Sequence, residues 1–182
     1  MTSKPFTTCL WFDNQGEEAA NYYMSIFKNS RLGRVHRYTE AGPGPAGSVM
    51  TVDFELNGQK FLALNGGPEY TFTPAVSLVV ECADQAEVDY YWERLSDGGQ
   101  EIACGWLQDK YGLSWQVVPT VFLEMITDSD AEKANRVTAA MFTMKKLDIA
   151  ELERAYAAGA QHPRDPSTPA TRPGQTGRIH LL

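Results

Sequence analysis

Asn14-Gln15-Gly16-Glu17 returns 70 residues later as Asp84-Gln85-Ala86-Glu87. Both tetrapeptides have capping-box form, with a side-chain acceptor at the N-cap and Glu three residues on. Each follows a β-type run, Pro5 to Phe12 in the first copy and Val76 to Cys82 in the second. Each leads into apolar residues at helical spacing: Ala19, Ala20, Tyr23, Ile26 and Phe27, then Val88, Tyr91, Trp92 and Leu95. Lys28-Asn29-Ser30 closes the first helix and Gly98-Gly99 ends the second. A duplicated strand–helix opening, each followed by a small antiparallel set, confines the chain to two like modules around a shared core.

Within the first half, Leu32 to Thr39 reads as a strand exposed on one side, and Glu40 to Gly47 as a stiff Gly/Pro surface loop, with a lid over the cleft as the alternative. Asn57-Gly58 then joins Ser48–Leu56 to Gln59–Asn65 as a type I′ hairpin. That turn sets Leu56 opposite Gln59, Glu55 opposite Lys60 and Phe54 opposite Phe61. Met50, Val52, Phe54, Phe61 and Ala63 form an apolar face for a helix. Thr51, Asp53, Leu62 and Leu64 form a mixed face suited to a cavity lining, with a Glu55–Lys60 charge pair near the turn.

After the Gly66 to Pro74 linker and the second helix, less chain remains than in the first half, so one strand there is short or irregular. The stretch from Cys104 to Pro119 reads as strand, tight turn at Asp109 to Gly112, and strand. Period two puts Leu113, Trp115 and Val117 on a core face, and Ser114, Gln116 and Val118 on a face suited to a small-molecule wall. Beyond Pro119 the pattern is helical. Val121 to Ile126 reads as one short helix, and Ser129-x-x-Glu132 and Asp148-x-x-Glu151 as caps of two amphipathic ones. The division is therefore residues 1–120 (modules about 5–66 and 75–119), helices over 121–158, and an aperiodic Pro/Gly-rich tail, 159–182, expected to be disordered.

At 182 residues and 43% hydrophobic, the chain can build one full core. A net charge of −7 argues against a nucleic-acid partner, which wants a basic patch. No apolar run approaches the roughly 18–20 residues of a membrane span. The first residues form no apolar leader, so the expected location is cytoplasmic. Cys9, Cys82 and Cys104 lie far apart, with neither disulfide nor zinc spacing. Gly42 to Gly47 matches G-x-G-x-x-G by letter, but two of its positions are Pro and a strand follows, so it is not a nucleotide loop. His36, His162 and His180 do not cluster. Cys104 beside Trp106 reads as core before it reads as a reactive thiol. Met141, Phe142 and Met144 are helix packing or a subunit contact.

Leu10-Trp11-Phe12-Asp13 with Glu17-Glu18-Ala19-Ala20, Ala63 to Pro68, Ser77 to Val80, and above all Cys104 to Gln116 carry a resemblance. Over roughly residues 5–158 the chain resembles the glyoxalase/bleomycin-resistance (vicinal oxygen chelate) superfamily. Within it, the chain is similar to the PhnB-like proteins labelled 3-demethylubiquinone-9 3-methyltransferase domain. The resemblance implies an α+β fold: two paired βαβββ modules forming a curved mixed sheet around a cleft, with C-terminal helices. It carries the superfamily's metal-ligand positions onto Thr8, Leu62 or Leu64, Ser77 and Gln116. Of these only Gln116 has a ligand-type side chain, so neither a metal nor another cofactor is expected. The expected function is small-molecule binding. Thr8, Thr51, Asp53, Ser77 and Gln116 would orient the ligand, Trp106 would cover it, and Asp53 is the one candidate general base. The alternatives are an enzyme on an aromatic or quinone-like substrate and a dimeric scaffold; a homodimer is expected.

Overall fold

Each copy of the repeat folds into a four-stranded sheet with one helix laid across it. The computed structural model describes residues 6–159. The first module runs β1 (Thr8–Phe12), α1 (Gly16–Ile26), β2 (Ser30–Arg37), β3 (Val49–Leu56) and β4 (Gln59–Asn65). The second runs β5 (Ser77–Cys82), α2 (Gln85–Ser96), β6 (Gln100–Glu101), β7 (Trp106–Gln108) and β8 (Ser114–Pro119). Their strand orders correspond, β1-β4-β3-β2 and β5-β8-β7-β6. In each, the first strand pairs parallel with the last and the other pairs are antiparallel. The chain is thus an α+β protein of two βαβββ modules. Its two sheets share no paired strand. Both β6 and β7 are short, where the sequence indicated one short strand.

The hairpin forms as its Asn-Gly turn requires. Asn57 and Gly58 have φ of 47° and 82°, and Phe54, Glu55 and Leu56 pair with Phe61, Lys60 and Gln59. Glu55, however, takes Arg31 of the neighbouring strand as its ionic partner, at 2.7 Å, instead of Lys60. Arg31 stands directly opposite Glu55 and offers a planar fork, which a carboxylate accepts better than a flexible ammonium.

Caps follow the sequence only where they are local. Asp84 accepts from Glu87 N at 2.9 Å and Asp148 accepts from Glu151 N at 2.9 Å, as read. Asn14 does not cap α1. The Gly16 N–H donates instead to Asn65 Oδ1 at 2.7 Å, and Asn65 Nδ2 donates to Val49 O. One amide therefore ties a helix N-terminus to β3, and at Gly16 an added Cβ would meet that amide oxygen at 2.6 Å. On the third site the cap is Asp130, one residue past Ser129, accepting from Glu132 N and Lys133 N.

The modules meet through their helices. Ala19, Ala20, Tyr23, Ile26 and Phe27 of the α1 segment, with Val88, Trp92 and Leu95 of α2, join the inner sides of both sheets in one core. Burying each large side chain contributes about 1.5–3 kcal/mol. Phe27 stacks on Trp115 at 5.6 Å, and Tyr90 Oη donates to Ile26 O at 2.8 Å. Tyr111 Oη donates to Glu18 at 2.6 Å, with Lys110 near the same carboxylate.

Three further helices, α3 (Thr120–Ile126), α4 (Ala131–Met141) and α5 (Ile149–Ala157), build a second core of Phe122, Met125, Val137, Leu147 and Leu152 around Val118. No helix among the described residues is long and apolar enough to cross a membrane. The tail expected to be disordered lies, apart from Gly159, outside the described residues.

Candidate functional site

Because helices cover one side of each sheet, the opposite sides are where the predicted residues can gather. On the first sheet, pairing sets Cys9 beside Leu62 and Asp53, and Trp11 beside Leu64 and Thr51. Thr8 is not on this face. It pairs with Phe61 and alternates with buried Leu10 and Phe12, so it belongs to the helix-covered side and Cys9 takes the outward position. Period two across Leu10 and Phe12 already carried that assignment. Asp53 is engaged: Arg34 Nε donates to its Oδ2 at 3.1 Å. A carboxylate held by an exposed guanidinium is poorly placed to take a proton from a substrate.

On the second sheet only part of the expected wall is open: Val118 is taken into the second core and Ser114 is buried, which leaves Gln116 half-buried. Ser77 lies opposite Ser114, Val79 opposite Gln116, and Trp106 opposite Gln116 on the other side. Gln116 Nε2 donates to Ser77 Oγ at 2.9 Å. Val79 is 55% exposed, an apolar residue left open beside this pair. Ser114 is fully buried, and its hydroxyl finds no partner among the described residues. Such an orphan costs about 1–3 kcal/mol relative to a satisfied group. Three of the four tryptophans donate their indole N–H, to Gly67 O, Glu101 and Asp109; that of Trp106 finds no acceptor among the described residues. Ser77, Gln116 and Trp106 are thus brought together, while Thr51 and Asp53 sit on the other sheet.

Asp109 is the residue that sequence reasoning undervalued. The sequence marks it as a turn former, yet it is only 3% exposed and accepts four hydrogen bonds. Tyr111 N and Leu113 N donate to Oδ1 at 2.9 and 3.1 Å; Tyr23 Oη and Trp115 Nε1 donate to Oδ2 at 2.8 Å each. Burial raises its pKa, and the four donors oppose that shift. The Tyr23 hydroxyl, buried against this carboxylate, is pushed well up. Asp109 therefore joins α1 of the first module to the β7–β8 turn of the second and shapes the strand that carries Ser114 and Gln116.

The outward positions do not suit a metal. Cys9, Leu62, Leu64, Ser77 and Gln116 offer one thiol, two leucines, a hydroxyl and an amide, and Asp53 beside them is taken by Arg34, whereas a tightly held divalent ion wants three or four imidazole, carboxylate or thiolate donors. Burial raises the pKa of Cys9, which disfavours the thiolate. Cys104 is shifted the same way, against the reactive-thiol alternative. Among the described residues no three His, Cys, Asp or Glu side chains converge.

A cavity of about 500 Å³ lies elsewhere, at the C-terminal ends of β1 and β4 beneath the Pro43–Pro45 loop. Asp13, Glu17, Tyr38, Ser48 and Asn65 line it, and no residue of the predicted site does. Pro43, Gly44 and Pro45 of the Gly/Pro loop line this cavity.

The family profile described as 3-demethylubiquinone-9 3-methyltransferase matches residues 4–118. The chain belongs to this PhnB-like family. The PhnB protein of Bacillus cereus is 38% identical, with 64% of this chain and 100% of that one covered and a TM-score of 0.59. Protein PA1353 of Pseudomonas aeruginosa, 18% identical, covers 64% of this chain and 98% of its own at a TM-score of 0.54. The fosfomycin resistance protein FosX of Listeria monocytogenes, 14% identical, covers 70% and 100% at 0.51. The last two support the fold alone, that of the glyoxalase/bleomycin-resistance superfamily. No curated protein matches the chain. The PhnB-like profile ends at Val118, so α3 to α5 are additions to the family's module.

Proposed function

We propose that this PhnB-like protein binds a small, flat, uncharged organic molecule against the outer face of β8, without a metal ion. Gln116, bonded to Ser77 and standing between exposed Val79 and Trp106, whose indole N–H has no acceptor among the described residues, carries this reading. Gln116 and Trp106 supply neutral donors for carbonyl or ether oxygens, and Val79 with the Trp106 ring supplies apolar contact. A quinone-like molecule has that chemistry. Transfer of a methyl group from S-adenosylmethionine is a poor fit. That cofactor's usual home is a Gly-rich turn opening a helix at a parallel sheet, and here the Gly-rich loop opens β3 of a mixed sheet.

Within one chain the two sheets pack on a common core and share no paired strand, so this face is read as half of a cleft. A second copy, placing its first-sheet face of Cys9, Thr51, Asp53, Leu62 and Leu64 opposite Gln116, closes the hollow. Val76 and Val79, exposed along β5 and its approach, support such a contact. Three free cysteines suit a reducing compartment such as the cytoplasm.

Titration of 15N-labelled protein with coumarin, a neutral flat lactone, tests the placement. The Gln116 side-chain amide and the Trp106 indole N–H should shift together. Shifts confined to Asn14 and Asn65, around the 500 Å³ cavity, would move the site there. In sedimentation the full chain should run as a dimer and Val79→Asp as a monomer.

A further inference from the structure

The segment joining α4 to α5 is bonded directly to the turn that delivers Trp106. That turn is unusual. Cys104 and Gly105 are consecutive left-handed residues, with φ of 61° and 82°, and only the second is glycine. The turn closes on itself, Trp106 N donating to Ala103 O at 3.1 Å and Ile102 N to Trp106 O at 2.8 Å. Val117 N donates to Gly105 O at 2.8 Å, so the position of the turn fixes how β7 enters the sheet. Its two outward N–H groups have no sheet partner. Cys104 N donates to Met144 O at 2.8 Å and Gly105 N to Lys145 O at 2.7 Å. At Gly105 an added Cβ would stand 3.2 Å from the Leu147 side chain and 2.9 Å from Val117 O, so the added segment packs on the turn without a gap.

Gln85 holds that segment in place from the first turn of α2. Its Nε2 donates to Leu147 O at 3.2 Å, and its Oε1 accepts from Ile149 N at 2.9 Å. Lys146 adds a 2.6 Å ion pair to Asp89, one helical turn from Gln85. Gln85 does not reach the Trp106 face. Its hydrogen-bonded path to the turn runs through residues 144–149, outside the region that the family profile matches.

We propose that the added helices are a working part of the ligand face: carbonyls of Met144 and Lys145, held by Gln85, keep the Cys104–Gly105 turn in place and so fix Trp106 beside Gln116. Gln85 is a positioning residue. The inference rests on the reading of that face as the binding site. Loss of the clamp lets the turn relax and Trp106 swing, which alters what the face accepts without removing any group that touches the ligand.

The test compares wild type, Gln85→Ala and Gln85→Glu in the full chain. Gln85→Glu keeps the acceptor for Ile149 N but loses the donor shared by Leu147 O and Asp89 Oδ1 and sets a second carboxylate against Asp89, so its effect should at least match that of Gln85→Ala. In Gln85→Ala, amide exchange at Cys104 and Gly105 should quicken by roughly tenfold, the loss expected when one such clamp opens locally. The Trp106 indole resonance should move, while those of Trp11 and Trp115 stay, and coumarin affinity should fall. Unchanged exchange and an unmoved Trp106 resonance in both variants would overturn the clamp. A Trp106 that moves while coumarin affinity holds, in Gln85→Ala and in Trp106→Phe alike, would overturn the extension's part in binding. That second result would also displace the ligand from this face, whereas a silent Trp106 would leave the ligand's placement standing.

Discussion

Asp109→Ala should cost about 4 kcal/mol of folding stability, the largest single-residue loss outside the apolar core. The substitution strips the acceptor from four donors at once: the Tyr23 hydroxyl, the Trp115 indole N–H, and the backbone N–H groups of Tyr111 and Leu113. A buried donor left unpaired costs about 1–3 kcal/mol, and local relaxation recovers part of the sum. Such a loss is a large share of the 5–15 kcal/mol typical of a domain. It should appear in urea unfolding as a lower midpoint. Tyr23→Phe, which removes one donor and keeps the ring, should lose only about 1 kcal/mol.

Asp109→Asn separates charge from shape. Because burial raises the folded pKa, the folded chain binds the proton more tightly than the unfolded chain. Between the ordinary aspartate range and that raised value, stability therefore falls as pH rises. This is opposite in sign to a salt-bridged carboxylate. Asparagine cannot titrate, so wild type's advantage over Asp109→Asn should narrow as pH rises through that window. A widening gap would mean that the four donors outweigh desolvation.

The second large effect is expected at Gly99. A Cβ there would stand 2.8 Å from the Asp109 carbonyl carbon and closer still to Gln108 O. Both are backbone atoms of the β7–β8 connection and cannot step aside as a side chain would. Gly99→Ala should therefore cost roughly 3 kcal/mol, in the upper range for forcing atoms into a packed site. The damage should spread along the turn to Tyr23, seen as faster exchange at Leu113 N–H, one of the donors to Asp109. Gly112→Ala separates space from backbone conformation. Nothing lies within 4 Å of its added Cβ, but φ is 85°, so it should lose only about 1 kcal/mol.

The sequence spoke clearly where the physics was local. The Asn57-Gly58 turn fixed three pairs, and alternation in β8 placed Gln116 opposite Trp115's side of the sheet. The Asp84 and Asp148 caps needed only residues three apart. It misled where a distant group took over. The α1 cap comes from Asn65, 49 residues along the chain from Gly16. Asp109 looks like any turn aspartate until Tyr23 and Trp115 close on it, since its burial depends on both modules being folded. The clamp on Cys104 and Gly105 is backbone to backbone and leaves no side-chain signature at all. Thr8 was legible and missed: Leu10 and Phe12 mark the buried side of its strand. The direction in which the two sheet faces look depends on how the helices pack, which no local pattern encodes.

The proposed ligand face is built from neutral donors, with no ion to organise it. Metal analysis of the full chain, purified without chelators and then equilibrated with zinc, nickel, manganese and ferrous iron in turn, tests this most directly. We expect metal well below one ion per chain after desalting, an unshifted melting temperature, and no difference between wild type and Gln116→Ala. One tightly held ion per chain, lost in Gln116→Ala, would contradict it.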